Sequence, residues 1–223
     1  MSTTESPGFL RARKPAEREV RRDAILAAAA ALFDAEGVQG TGLNAIAARA
    51  GFTKSNIYRY FESREEVLLS LMIESFDDLT EALATQMADL AVGDIAGLAR
   101  LTADGFSRRP RLGQLMAILP TVLEVNLSEE RLVALKRELP VMLERVARAI
   151  HRVLPTASLD DCRWTASMTG TIVAGMWPNL APGSTAARVM ARPEFATFKP
   201  SIERDLERAI VALLEHVAAT SRA

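Results

Sequence analysis

The sequence predicts an all-α chain in which a small helix-turn-helix head precedes a larger helical body. Three observations carry that prediction. The stretch LNAIAARAGFTKSNIYRYFESREE, from Leu43 to Glu66, places Ile46, Ala47 and Ala50 at helical spacing, Gly51 where a left-handed residue stops a helix, and Thr53 where the next helix needs a cap. That is the layout of a helix-turn-helix. Leu68, Met72, Phe76, Leu79, Leu83, Met87 and Leu90 then follow one another three or four residues apart, the stripe of one long helix. Beyond Gly93 the spacing stays helical, and no strand-type alternation persists.

The chain up to Lys14 mixes Ser, Thr, Pro and Gly without periodicity, and residues 1–15 read as a flexible arm that DNA orders. Between Leu10 and Arg22 six basic residues (Arg11, Arg13, Lys14, Arg18, Arg21, Arg22) stand against Glu17 and Glu19, a basic run directly before the head. The head is expected over residues 16–65. Its first helix runs from about Ala16 to Glu36, with Val20, Ile25, Ala28 and Leu32 as the apolar face and Gly37 as the stop. In the third helix Ile57 and Phe61 are four apart and face inward, which leaves Lys54, Ser55, Asn56, Tyr58, Arg59 and Tyr60 for a partner. Ser63-x-x-Glu66 is a capping box that opens the long fourth helix, the mechanical link into a body over residues 66–223.

In the body, Asp94 is placed to cap a helix, and Pro110, Pro120, Pro140 and Pro155 divide the segments. Pro140 interrupts a periodic stretch from Ser128 to Leu154, which predicts a kink or two abutting helices. Ser158-x-x-Asp161 opens a helix that runs towards Pro178. Pro178, Pro182, Gly183 and Pro193 mark a long connection with a short helix around Thr185 to Ala191. The last helix begins near Ser201 and aligns Ile202, Leu206, Ile210, Leu213 and Val217.

With 223 residues, 49% of them hydrophobic and 25% charged, the chain can bury a sizeable core in one domain or two. A formal net charge of −1 is no polycation, so any nucleic-acid contact rests on the local basic run. The single cysteine, Cys162, excludes an internal disulfide and any multi-cysteine metal site, and fits a reducing compartment. No leader-like or membrane-spanning apolar run is present, which points to the cytoplasm and away from a membrane. His151, Asp160, Asp161 and Cys162 show neither nucleophile geometry nor ligand spacing, and no Gly-rich phosphate loop, G-x-S-x-G or H-E-x-x-H occurs. No catalytic residue, metal site or cofactor is expected.

The candidate DNA-contacting residues divide by the chemistry of their type. Lys54, Tyr58 and Arg64 suit phosphates, which position a protein without reading sequence. Asn44, Ser55, Asn56, Arg59 and Tyr60 suit base edges, because Asn pairs bidentately with adenine, Arg with guanine, and an aromatic face packs on a thymine methyl. Thr41 completes the set, and either its hydroxyl caps the second helix or that cap is weak.

The run A-x-x-A-G-F-T-K-S-N-I-Y-R-Y-F-E-S-R-E-E resembles the core motif of the TetR (tetracycline repressor) family of bacterial regulators, over about Val20 to Leu68. The resemblance implies a DNA-binding head, a helical C-terminal domain that dimerises and holds a ligand pocket, and release from DNA when ligand binds. Two positions depart from the family pattern: Gly42 stands where Ser or Thr is common, and Arg64 where Lys is common. Phe106, Met116, Leu119, Leu123, Trp164, Met168 and Trp177 are the large apolar residues of the body, together with Met176, from which such a pocket is expected to be lined.

The expected function is that of a ligand-responsive regulator, a repressor that binds a palindromic double-stranded operator as a homodimer and is released by an apolar or amphipathic effector. A helical small-molecule-binding or interaction module without sequence-specific DNA binding is the alternative, and a small helical enzyme a remoter one. Dimerisation is expected through about Leu159 to Trp177 and Ile202 to Val217. There the seam of the last helix and the small residues Ala166, Gly170 and Ala174 would meet their symmetry mates.

Overall fold

The computed structural model describes residues 7–180, 185–198 and 200–220, except for the side chains of residues 7–15, 186, 187 and 196–198. Helices α1 (Pro7–Gly40), α2 (Leu43–Ala50), α3 (Lys54–Ile57) and α4 (Arg64–Gln86) come first, followed by α5 (Ile95–Ser107), α6 (Pro110–Ile118) and α7 (Glu129–Val153). The chain closes with α8 (Leu159–Met176), α9 (Thr185–Met190) and α10 (Glu207–Thr220). No strand occurs among the described residues, so the all-α expectation holds.

Contacts divide the chain into Met1–Leu71 and Met72–Ala223, and α4 runs through the division. In the first unit α1 packs on α2 and α2 on α3. Ile25, Leu26, Ala29, Phe33, Ile46, Ile57 and Phe61 are buried, as are Val67, Leu68 and Leu69 at the start of α4. Gly37 has φ 66° and ψ −163°, a non-helical break before the end of α1, where the stop was expected. Two expectations fail here. Helix α1 begins at Pro7 and so enters the segment assigned to the arm, whose side chains lie outside the described residues. Val20 is 69% exposed, because it lies on the side of α1 turned away from the face that Arg18 and Arg22 present to Tyr60 and Phe61.

The turn between α2 and α3 is built as its residues dictate. Gly51 adopts φ 72°, and the N–H of Phe52 donates to the carbonyl of Ala47 at 2.8 Å, closing off the end of α2. Thr53 then caps α3, its Oγ1 accepting from the Asn56 N–H at 3.3 Å. Ser63 Oγ accepts from the Glu66 N–H at 3.1 Å, while the Glu66 carboxylate reaches back to the N–H of Glu62. The capping box is therefore present with its return bond one residue further out.

In the second unit α7 packs on α8, α6 on α8, and α10 on both α5 and α8. Asp94 caps α5 through the Gly97 N–H at 2.8 Å, and Ser158 caps α8 through the Asp161 N–H at 3.0 Å. Pro140 lies inside α7 and divides nothing, contrary to expectation as regards two helices. It is exposed, so the carbonyl left without its N–H partner can be hydrated. The last helix opens with a π turn, Ile202–Leu206, before α10. Ile202, Leu206, Ile210, Leu214 and Val217 are buried, and Leu213 is only half-buried. That seam is core of its own unit, and the expected intermolecular seam is corrected accordingly.

Candidate nucleic-acid interface and apolar cavities

Helix α3 is a single turn, and its continuation is a turn through Tyr58 to Tyr60 held by the N–H groups of Tyr60 and Phe61 on the Ile57 carbonyl, at 2.9 and 3.0 Å. Ile57 at 0% and Phe61 at 2% exposure anchor this segment from below. Their burial turns Lys54, Ser55, Tyr58 and Arg59 to solvent and leaves Asn56 and Tyr60 half-buried. Asn44 on α2 is exposed as well. Apart from Thr41, every candidate residue is at least partly accessible.

Thr41 is fully buried, and its hydroxyl donates to the Gly37 carbonyl at 2.8 Å. It neither caps α2 nor faces a partner. Gly42 is the cap residue and offers no side-chain bond, so the carbonyl left free by the Gly37 break takes the hydroxyl instead. Arg64 is engaged by its neighbour: Nε and Nη2 donate to Glu65 Oε1 at 3.0 and 2.7 Å. To hold a phosphate it must first leave that carboxylate.

Three cations stack on the aromatic rings of the segment. Lys54 Nζ lies 5.8 Å from the Tyr58 ring centre, the Arg18 guanidinium 5.9 Å from that of Tyr60, and that of Arg22 5.6 Å from that of Phe61. Arg18 and Arg22 reach the segment from α1. In the sequence they signalled only as members of a basic run, and their contact with Tyr60 and Phe61 was not visible there.

The second unit holds two apolar cavities. The inner one, about 30 Å³, is walled by residues that include Leu79, Leu98, Phe106, Val146 and Leu214. Its hydroxyls are turned onto the backbone, Thr102 on the Leu98 carbonyl at 2.8 Å and Thr169 on that of Thr165 at 2.9 Å. The chamber is therefore lined by methyl and methylene groups. The outer one, about 390 Å³ and partly open to solvent, is lined by Met72, Met116, Leu119 and Leu139 among others, and by Glu124 and Lys136. Phe76, Leu143 and Ala166 border both.

Of the expected lining residues, Phe106 lines the inner cavity, and Met116 and Leu119 the outer. Leu123, Trp164, Met168 and Trp177 line neither. Leu123 is core, and Trp177 is buried with its ring against the backbone of Gly113, where a Cβ would approach it to 2.1 Å. Trp164 is 43% exposed on the opposite face of α8, and Met168 lies one turn along that face. Ala166, Gly170 and Ala174, expected at a dimer seam, line the outer cavity instead. Phe76 and Leu143, the shared walls, were missed as lining because a cavity wall and a core carry the same apolar spacing. The pairing of Glu124 with Lys136 had no signal at all, since it joins residues across a break between helices.

Cys162 and His151, the groups with reactive side chains in the second unit, are held in structural roles. Cys162 is buried, and desolvation, with the adjacent Asp161 charge adding to it, pushes its thiol up to about 11. His151 Nδ1 sits 2.9 Å from the Ala157 carbonyl, a structural bond. No group of three or more potential metal ligands gathers among the described residues. No helix among them is long and apolar enough to cross a membrane.

Comparison with known proteins divides the chain at the same place. Residues 25–71 match the model for bacterial regulatory proteins of the tetR family, and residues 73–219 match that for the tetracyclin repressor-like C-terminal domain. An uncharacterised HTH-type transcriptional regulator of Mycobacterium tuberculosis is 28% identical over 188 residues, which cover 78% of this chain and 93% of that protein. The HTH-type transcriptional regulator LmrA of Bacillus subtilis is 37% identical over 68 residues, 30% of this chain and 35% of LmrA. Among solved structures, a TetR/AcrR-family regulator of Thermobifida fusca is similar at 24% identity with a TM-score of 0.55, covering 87% of this chain and 96% of its own. A tetR-family regulatory protein from Rhodococcus is similar at 15% identity with a TM-score of 0.56, covering 88% and 96%.

Proposed function

Since the chain belongs to the TetR family of bacterial transcriptional regulators, we propose that this DNA-binding helix-turn-helix protein is a repressor that holds a palindromic operator as a dimer and releases it when a small molecule fills the cavities of the second unit. The observation that carries the reading is the surface around α3. Lys54, Ser55, Tyr58 and Arg59 are exposed together on a turn fixed from below by Ile57 and Phe61, which presents phosphate-binding and base-reading side chains on a rigid support. Arg18 and Arg22, stacked on Tyr60 and Phe61, add positive charge beside it for phosphate contacts.

Release has a physical route along one helix. Phe76 borders both cavities and lies on α4, whose first residues, from Arg64 to Leu71, belong to the DNA-binding unit. A ligand that displaces Phe76 favours one position of α4 over another, and a coupling of about 1 to 3 kcal/mol lowers operator affinity about 5- to 150-fold. For the dimer, the face of α8 opposite the cavities supports the reading. Trp164 and Gly175 are exposed there, eleven residues or about three turns apart, and Ala212, His216 and Ala219 are exposed on α10.

Selection of bound duplexes from a random pool tests the proposal. The expected result is enrichment of an inverted repeat with half-site centres about 34 to 36 Å apart, or a multiple of that. A pool without enrichment, from protein that is folded, would overturn it.

A further inference from the structure

The outer cavity has one charged feature, and it is asymmetric. Lys136 Nζ donates to Glu124 Oε1 at 2.5 Å across the rim, with the Lys136 side chain 55% exposed and that of Glu124 22% exposed. Glu124 stands on a short 3-10 turn, Glu124–Asn126, that follows directly on the π turn Leu119–Leu123, two of whose residues line the same cavity. Lys136 reaches over from α7 on a long flexible stem.

Such a pair can open in two ways, and they differ in cost. If Lys136 swings out, an already half-solvated ammonium completes its hydration, and the loss is that of an exposed ion pair. If Glu124 swings out, a less exposed carboxylate on a one-turn element must move, and the turn moves with it. The easier opening leaves a carboxylate at the rim of an apolar chamber. The Phe76 ring and the thioethers of Met72 and Met116 line the same space, polarisable groups that favour a cation over an anion.

We propose, resting on the reading of these cavities as the effector site, that the effector is a cationic amphipath, a lipophilic amine or quaternary ammonium whose head displaces Lys136 from Glu124. Its apolar body lies on Met72, Phe76, Leu139 and Leu143. The inner chamber, with only about 30 Å³ of room, closes the deep end of the site, and its threonine hydroxyls are spent on backbone carbonyls and offer a head group nothing. The charged end therefore stays at the rim, and the molecule has one orientation.

Calorimetry on the full-length protein without DNA, using decyltrimethylammonium, decanoate and decanol below their micellar concentrations, separates the possibilities. The ammonium binds most tightly, Glu124→Gln weakens it about tenfold while leaving decanol unchanged, and Lys136→Met tightens it up to about fivefold by removing the competitor. Decanoate binding more tightly than the ammonium, an unchanged affinity in Glu124→Gln, or no binding of the ammonium each overturns the proposal. If decanoate or decanol binds more tightly than the ammonium and releases the operator, the effector-site reading stands and only the cationic class is wrong. Ammonium binding at Glu124 without any effect on operator affinity leaves the site assigned and sinks the regulatory reading.

Discussion

Gly51 does at one position what the turn between α2 and α3 requires, since at φ 72° a Cβ is strained whatever the space around it. Gly51→Ala is expected to destabilise the protein by about 1 to 2 kcal/mol, read as a shift of the urea midpoint without a change in slope. A midpoint equal to that of the parent would show that the turn tolerates a side chain. Cys162 makes a second test at this scale. With its thiol pushed up to about 11 by burial, it should resist iodoacetamide at pH 8 in the native protein and react at the ordinary rate in denaturant. Equal rates in the two states would mean that the residue is open to solvent. Gly51, Thr53, Ile57 and Phe61 were legible in the sequence because backbone conformation and helix period are local properties. Thr41 was not, since its hydroxyl is used by a carbonyl that is free only because α1 breaks at Gly37.

Among the elements, the contact of α6 with the segment after α8 depends on Gly113, against whose backbone the buried Trp177 ring lies. Gly113→Ala forces that ring or α6 to move, at about 1 to 3 kcal/mol, and denaturant unfolding with tryptophan fluorescence reports both the loss and the displaced ring. An unchanged midpoint and spectrum would contradict the packing. Helices α7 and α8 are also joined at the surface: Arg163 donates to Glu144 at 2.6 and 3.2 Å and to Asp160. The Arg163 bond holds the Glu144 carboxyl below its ordinary value, with Arg148 adding to the effect. A lowered carboxylate value stabilises the folded chain above the ordinary glutamate range, and the contribution is lost as pH falls through the lowered value. Arg163→Ala should therefore make the acid limb of stability shallower, and a limb identical to that of the parent would argue against the pairing. The last helix shows where periodicity runs out. Steps of three or four from Ile210 reach both Leu213 and Leu214, and Leu214 is the one buried, after a first turn of π type that no residue pattern announced.

At the scale of the molecule, the all-helical plan and the presence of a DNA-binding head were readable because they rest on repeated spacing and a dense local motif. The cavities were not, because packing decides which apolar face encloses space. Small residues at 166, 170 and 174 signal close approach, and the approach they permit is of Met116 and the cavity, with a Cβ on Gly170 only 3.5 Å from Met116 Cε. The dimer proposal accordingly moves to the opposite face of α8. Trp164→Arg with Gly175→Arg should give folded monomers in sedimentation with weakened operator binding, and an undiminished dimer would place the interface elsewhere. The account as a whole stands on specific, charge-driven binding of duplex DNA by the surface around α3. Its most direct test is anisotropy titration of a selected operator and a scrambled duplex against salt, with the parent and Lys54→Ala. Log K for the operator should fall with log salt at a slope of about −0.9 per phosphate contacted, the scrambled duplex should bind far more weakly, and Lys54→Ala should reduce the slope by about one contact. Equal affinity for both duplexes, or a slope that Lys54→Ala leaves unchanged, would contradict it.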